Sequence, residues 1–160
     1  MNPLSRLLIL VGTVTNTAER VAQTIEIDCA DLIDRIEVRM MDGLNIRTFE
    51  EDALYLICSS TYGSGDVPDN ARALYESLGS EPKFLGHVRY GVIALGDHGT
   101  HPQTFCQGGQ RFDERLTDLG AVRLGDVFCH DASAGTEAEI VATEWCRDWL
   151  AQALQITEKA

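Results

Sequence analysis

Basic residues are scarce in this chain of 160 residues: 13 Lys plus Arg stand against 25 Asp plus Glu, a formal charge of −12. A surface of that sign repels nucleic acid and anionic membrane and favours basic patches on other proteins. No apolar run approaches the ~18 residues of a membrane span. No charged-apolar-small leader opens the chain, so a soluble, cytoplasmic protein is expected. The five cysteines (Cys29, Cys58, Cys106, Cys129 and Cys146) are an odd, scattered set with no Cys-x-x-Cys pair. That pattern argues against a disulfide framework, a zinc site and an iron-sulfur cluster. His98 and His101 have ligand-like spacing but no nearby Cys or His partner, so no metal is assigned. A Gly-x-Gly-x-x-Gly loop is missing, and so is any spare basic cluster that would hold a nicotinamide dinucleotide. With no internal repeat, linker or low-complexity tract, one domain over residues 1–160 is expected.

What is present is alternation. Apolar runs near residues 6–11, 34–40, 53–59, 88–95 and 122–129 read as strands, and helical patterns fall near 17–30, 68–79, 106–119 and 136–154. Strands alternating with helices predict an α/β fold with a parallel sheet and right-handed crossovers. The connection through Asp42–Asp52 is short and polar, so its helix is the weakest element. In the last helix Val141, Trp145 and Trp149 recur at i, i+4 and i+8, which predicts core packing against the sheet.

Chemistry concentrates where three of the runs end. The run Leu7–Val11 passes into Gly12-Thr13-Val14-Thr15-Asn16-Thr17-Ala18-Glu19, with hydroxyls at i, i+2 and i+4 and no lysine. Hydroxyls and amides at a helix N-terminus bind phosphate through hydrogen bonds and the helix dipole. A Thr-rich helix cap is the plainer alternative for this loop taken alone. The run Ala53–Cys58 breaks into Ser59-Ser60-Thr61-Tyr62-Gly63-Ser64-Gly65-Asp66-Val67-Pro68-Asp69-Asn70-Ala71. This loop can press one aromatic ring and several amides against a flat ligand before Asp66 and Pro68 open a helix. The run Val88–Leu95 ends in Gly96-Asp97-His98-Gly99-Thr100-His101-Pro102-Gln103-Thr104-Phe105-Cys106.

Together these loops resemble the binding loops of the flavodoxin family. The second matches the Thr-Tyr-Gly-x-Gly-Asp-x-x-Asp-Asn-Ala form of diflavin-reductase FMN domains and small MioC-like flavodoxins. The first resembles the family's phosphate loop, with Asn16 at the usual glycine, a residue that tolerates the left-handed backbone. The third resembles Leu-Gly-Asp-x-x-Tyr-x-x-Phe-Cys, but its spacer is about two residues longer and Pro102 stands where the family has a tyrosine. His101 or His98 is the planar substitute.

The resemblance covers nearly the whole chain. It implies a three-layer α/β/α sandwich around a five-stranded parallel sheet of order 2-1-3-4-5, with the ligand outside the carboxyl ends of the strands. The stretch Val122–Cys129 runs straight into His130-Asp131 and leaves no room for the long-chain insertion, which implies a short-chain member. The implied cofactor is non-covalent FMN. The implied role is one-electron carriage, as a monomer, between an NAD(P)H-dependent reductase and a redox enzyme. Thr13, Thr15 and Thr17, with the amides of Val14, Asn16 and Ala18, would hold the phosphate. Ser60, Thr61, Tyr62, Gly63, Gly65 and Asp66 would form the first ring wall, with Tyr62 stacking. Leu95, Gly96, Asp97, His101, Phe105 and Cys106 would form the second. By the same resemblance, the Gly63 peptide would turn its carbonyl toward the ring nitrogen that is protonated on one-electron reduction, a flip that glycine makes cheap. Asp66 and Asp69 are expected near the flavin edge, and Glu139 and Glu144 on the last helix away from it. A flavodoxin-fold NAD(P)H-dependent quinone reductase and an accessory module without flavin are the alternatives. A phosphate-switched receiver domain is disfavoured, because Gly12 and Thr13 end the first strand where acidic residues are needed.

Overall fold

Leu7–Val11 and Leu54–Cys58 carry no polar side chain that water could solvate apart from the Tyr55 hydroxyl, so both faces of these strands must be covered. They are: every one of these residues is buried. In the structure, a computed structural model describing residues 6–159, the sheet consists of β1 (Arg6–Gly12), β2 (Arg35–Met40), β3 (Leu54–Ser59), β4 (Arg89–Gly96), β5 (Val122–Arg123) and β6 (Phe128–Asp131). The helices are α1 (Thr17–Asp28), α2 (Arg72–Ser80), α3 (Gln107–Asp118) and α4 (Ala138–Lys159). The order is β2-β1-β3-β4-β5, all pairs parallel, with β6 also beside β4. Alternate residues of β1 divide between two cores: Leu7, Ile9 and Val11 meet α1 and α4, whereas Leu8 and Leu10 meet α2 and α3. That division makes the three layers.

The fifth strand departs from the continuous 122–129 run expected from its composition. Arg123 pairs with Tyr90 and Phe128 with Ile93, so five steps on one strand match three on the other and two residues are in excess. The excess sits in Leu124–Val127, where Gly125 takes φ 73° and the strand divides into β5 and β6. Trp149 anchors this break by donating from Nε1 to the Leu124 carbonyl at 2.7 Å. Its indole lies over Gly91, where a Cβ would stand 2.5 Å from the ring. Trp145 stacks on Trp149 at 5.8 Å and is itself partly buried against the core, so the tryptophan stripe packs as its spacing predicts. The weak 42–52 connection forms one 3-10 helix, Ile46–Glu50, capped by Asn45 accepting from the Arg47 amide.

The cysteines require a correction. Cys106 and Cys129 are joined by a disulfide with Cα atoms 6.0 Å apart, while Cys29, Cys58 and Cys146 are buried free thiols. Residues 23 apart in sequence meet because β6 places Cys129 opposite Ala94, and the Cys106 sulfur at the start of α3 lies 3.4 Å from the Ala94 carbonyl. Odd number and irregular spacing argue against a framework of bridges; they say nothing of one bridge set by strand register. Burial pushes the Cys58 thiol up to about 12.

Among the acidic residues, Glu51 is engaged in an ion-pair lattice that links the start of β1 to β2. Arg6 Nη2 bridges Glu37 at 2.8 Å and Glu51 at 2.9 Å, and Arg39 grips the same two carboxylates at 2.6 Å each.

Candidate cofactor site

In a parallel sheet every strand delivers its chain to the same edge, so the loops after β1, β3 and β4 gather at the carboxyl ends of the strands. A cavity of about 630 Å³ opens there, within the range of roughly 300–1,000 Å³ typical of cofactor sites. Of the residues singled out from sequence, Val14, Thr15, Thr17, Ser60, Thr61, Gly63, Leu95, Gly96, Asp97, His101 and Phe105 line it. Thr13, Asn16, Ala18, Tyr62, Gly65, Asp66 and Cys106 stand behind or beside the lining.

At the first loop the backbone passes close to its neighbours: a Cβ added at Gly12 would stand 3.1–3.2 Å from the Ala71, Ser59 and Met41 side chains, which would have to give by a few tenths of an ångström. Asn16, at φ 66°, is the non-glycine residue of positive φ among those described, and no side chain caps α1 behind it. The Thr13 Oγ1 is buried without a hydrogen-bond partner. An uncapped helix start, an orphaned buried hydroxyl and the Thr15 and Thr17 hydroxyls in the lining fit a phosphate group. Asn70 holds the loop in place by accepting from the Thr13 amide at 2.9 Å and donating to the Val11 carbonyl at 3.1 Å.

The second loop closes on itself. Tyr62 and Asp66 exchange backbone bonds of 2.8 and 2.9 Å, which leaves the Tyr62 ring at the rim, 47% exposed. Gly63 enters the lining at φ 54° with nothing within 4 Å of an added Cβ. Asp66 does not cap a helix as its position suggested. Its carboxylate accepts from the Val67 amide, and a 3-10 turn at Asp69–Ala71 led by Pro68 starts α2 instead. Thr61 ties this loop to the third, donating to the Leu95 carbonyl and accepting from the Gly108 amide, both at 3.0 Å.

The third loop is a closed turn around Asp97, whose carboxylate accepts from Gly99 N at 3.0 Å and Thr100 Oγ1 at 2.9 Å. Asp131 at the end of β6 accepts from the His98 amide at 2.9 Å and from the Ser133 hydroxyl and amide. Desolvation pushes the Asp131 carboxyl up, but these hydrogen bonds together outweigh it and hold the group below its ordinary range. Of the two candidate planar residues, His101 faces the cavity, whereas His98 packs edge-on against Phe105 at 5.2 Å.

Sequence reasoning missed one side of the cavity. Arg20, Thr100, His130, Ala132, Thr136 and Glu137, with Ala138 and Glu139 at the start of α4, also line it. Arg20 lies three residues after Thr17 on one helix face and pairs with Glu139 at 3.5 Å. Glu139, expected remote from the flavin, is therefore part of the lining. The available signal was topological: a helix that follows the last parallel strand starts at the ligand edge as well.

A flavodoxin family model matches residues 9–145. The chain belongs to the flavodoxin family. Flavodoxin YqcA of Pectobacterium carotovorum subsp. carotovorum is 36% identical over 149 residues, covering 91% of this chain and 95% of that one. The sulfite reductase [NADPH] flavoprotein alpha-component of Vibrio parahaemolyticus is 34% identical over 152 residues, 92% of this chain but 23% of the longer protein. Among solved structures, a cysteine-to-alanine mutant of flavodoxin from Pseudomonas aeruginosa superimposes with a TM-score of 0.75 at 28% identity, covering 91% of this chain and 97% of the other. Flavodoxins bind FMN and carry electrons between a reductase and a redox enzyme, and that is the function of this chain. Among the described residues no helix is long and apolar enough to cross a membrane.

Proposed function

We propose that this chain acts as one monomeric, cytoplasmic FMN domain that delivers single electrons and performs no stand-alone catalysis, with the flavin held in the cavity at the carboxyl edge of the sheet. The observation that carries the placement is the uncapped start of α1 beside the buried, unpartnered Thr13 hydroxyl. The phosphate sits there, bound by Thr13, Thr15 and Thr17 and the first amides of α1, with Arg20 one turn further on. Bound FMN supplies the one-electron redox chemistry. The chain's own residues bind, orient and shield it. Tyr62 closes over one ring face from the rim, and His101 serves as the planar group of the second wall. Gly63 presents its backbone to the ring and keeps its peptide free to turn. Asp97 and Asp131 fix the third loop, and Thr61 and Asn70 fix the other two. An NAD(P)H-dependent flavodoxin reductase is the donor, and the acceptor is a redox enzyme with a basic docking face.

Thr15→Asp tests the placement. Thr15 is exposed, so the fold should survive, but a carboxylate would face the phosphate. At an effective dielectric near 20, like charges about 4 Å apart repel by roughly 4 kcal/mol, and with solvent screening at this exposed position FMN affinity should drop by about 100- to 1,000-fold. Normal FMN binding by this variant would put the phosphate elsewhere.

A further inference from the structure

Phe105 and His130 line the cavity, and the residues beside them, Cys106 and Cys129, are bonded to each other. The third loop is therefore tethered to β6 at both ends: by the disulfide at Cys106, and by the Asp131 carboxylate on the His98 amide. The two sulfurs are not equivalent. Cys106 is 3% exposed and occupies the N-cap position of α3, whereas Cys129 is exposed on β6, which pairs only with β4 among the described residues. An incoming thiolate reaches Cys129, and Cys106 is the leaving group. The departing sulfur has acceptors in place for its thiol: the Ala94 carbonyl at 3.4 Å and the His130 carbonyl at 3.9 Å.

We propose that Cys106–Cys129 is a thiol-exchange site for small monothiols or a dithiol reductant, and that its state sets how tightly the second wall of the flavin site is held. A thiolate RS⁻ attacks the Cys129 sulfur, a bond forms between them, and the Cys106–Cys129 bond breaks. Cys106 leaves with the electron pair and takes a proton from solvent. A second RS⁻ attacks the sulfur that R brought, releasing RSSR and the Cys129 thiolate. In sum, two RSH are oxidised to RSSR and one protein disulfide is reduced to two thiols. The buried Cys29, Cys58 and Cys146 take no part. The effect on flavin rests on the FMN reading given above; the exchange chemistry does not.

Reduced glutathione is the probe. Air-oxidised protein is mixed with graded glutathione, quenched in acid, denatured, alkylated and weighed, and its peptides are mapped. Alkylatable thiols should rise from three to five, with a transient adduct on Cys129 and none on Cys106. Five thiols before any reductant is added, or an adduct on Cys106, would overturn the exchange site. FMN titration of oxidised, reduced and Cys129→Ser protein tests the coupling. The last two should bind about three- to tenfold more weakly than the first, because a loop freed of one tether must be ordered on binding. Equal affinity in all three would overturn the coupling. Failure of every form to take up FMN would instead strike the cofactor placement, with the thiol count and adduct map still deciding the exchange site.

Discussion

Gly96→Ala is the most demanding single substitution at this site. A Cβ built at Gly96 would lie 1.3 Å from the Phe105 carbonyl oxygen, 2.3 Å from its carbon and 3.1 Å from its Cα. All three are backbone atoms, so no side-chain rotation relieves the clash. Real Cβ contacts stay beyond 3.0 Å, so the Phe105 carbonyl must retreat by roughly 1.7 Å, in the range where overpacking costs about 1–3 kcal/mol or more. Phe105 cannot retreat alone, since Cys106 after it is bonded to Cys129. The displacement falls on a wall of the cavity, where a misplacement of about 1 Å can cost 100-fold. FMN affinity, read by fluorescence quenching during titration, should fall by about 100-fold, and the melting temperature of the flavin-free protein should drop by several degrees. Two further glycines calibrate the result. At Gly79, on α2, the nearest atom to a Cβ is Arg115 Nη1 at 3.0 Å, a side-chain atom held by the Tyr75 carbonyl at 2.8 Å, so the helix-propensity gain of about 1 kcal/mol is offset by a small shift of Arg115 and Gly79→Ala should be close to neutral. At Gly63 the space is open and only the φ of 54° resists, costing about 1–2 kcal/mol. A Gly96→Ala protein that binds FMN within threefold of wild type at an unchanged melting temperature would refute the proposed packing of the second wall.

Tyr62→Ala should weaken FMN by one to two orders of magnitude, for an aromatic stack of roughly 1–3 kcal/mol, while leaving the melting temperature unchanged because the ring is half-exposed; equal affinity would remove Tyr62 from the site. Hydrogen bonds from Arg6 hold the Glu37 carboxyl, and from Arg39 the Glu51 carboxyl, below the ordinary range near 4.3. The stabilisation is complete above that value and is lost as pH falls through the lowered ones, so urea midpoints should decline below about pH 4 and decline less steeply in Arg39→Met; parallel curves would refute the lattice's role. Electron transfer to a basic haem protein, followed by stopped flow, should slow steeply as salt passes ~0.1 M, where the screening length is about 10 Å. Asp69→Lys, at a side chain 81% exposed, should slow it more than Glu144→Lys; equal rates, or rates insensitive to salt, would remove acidic-face docking.

What the sequence disclosed was local. Leu7–Val11 and Leu54–Cys58 announce buried strands by their unbroken apolar character, and the residues just after them carry the loops, so periodicity and motif reach the same edge of the sheet. Asn16 at the glycine position fits the left-handed backbone it adopts. What stayed hidden depends on register or on distant packing. The Cys106–Cys129 bond requires knowing that Cys129 lies opposite Ala94. The division of the fifth strand requires counting its residues against β4. The lining by Arg20 and Glu139 requires α1 and α4 to be neighbours, which no window of sequence reports. Tyr62 is a subtler case: its motif names the ring, but the bonds between Tyr62 and Asp66 decide that the ring waits at the rim.

The divided fifth strand also bears on how copies of this protein behave in a crowded solution. An open parallel sheet has two margins, each offering unpaired backbone to any extended chain that meets it. On one margin the two excess residues leave segments of only two and four residues, separated by the left-handed Gly125 and by Asp126, a ladder too short and too kinked to template another strand. On the other margin β2 carries Arg35, Glu37 and Arg39 on alternate positions, and an incoming strand would have to strip water from that row and break the pairs with Arg6 and Glu51. This acidic carrier thus has both rims of its sheet closed to strand addition, and filling the break at residues 124–127 to make one regular strand would trade solubility for regularity.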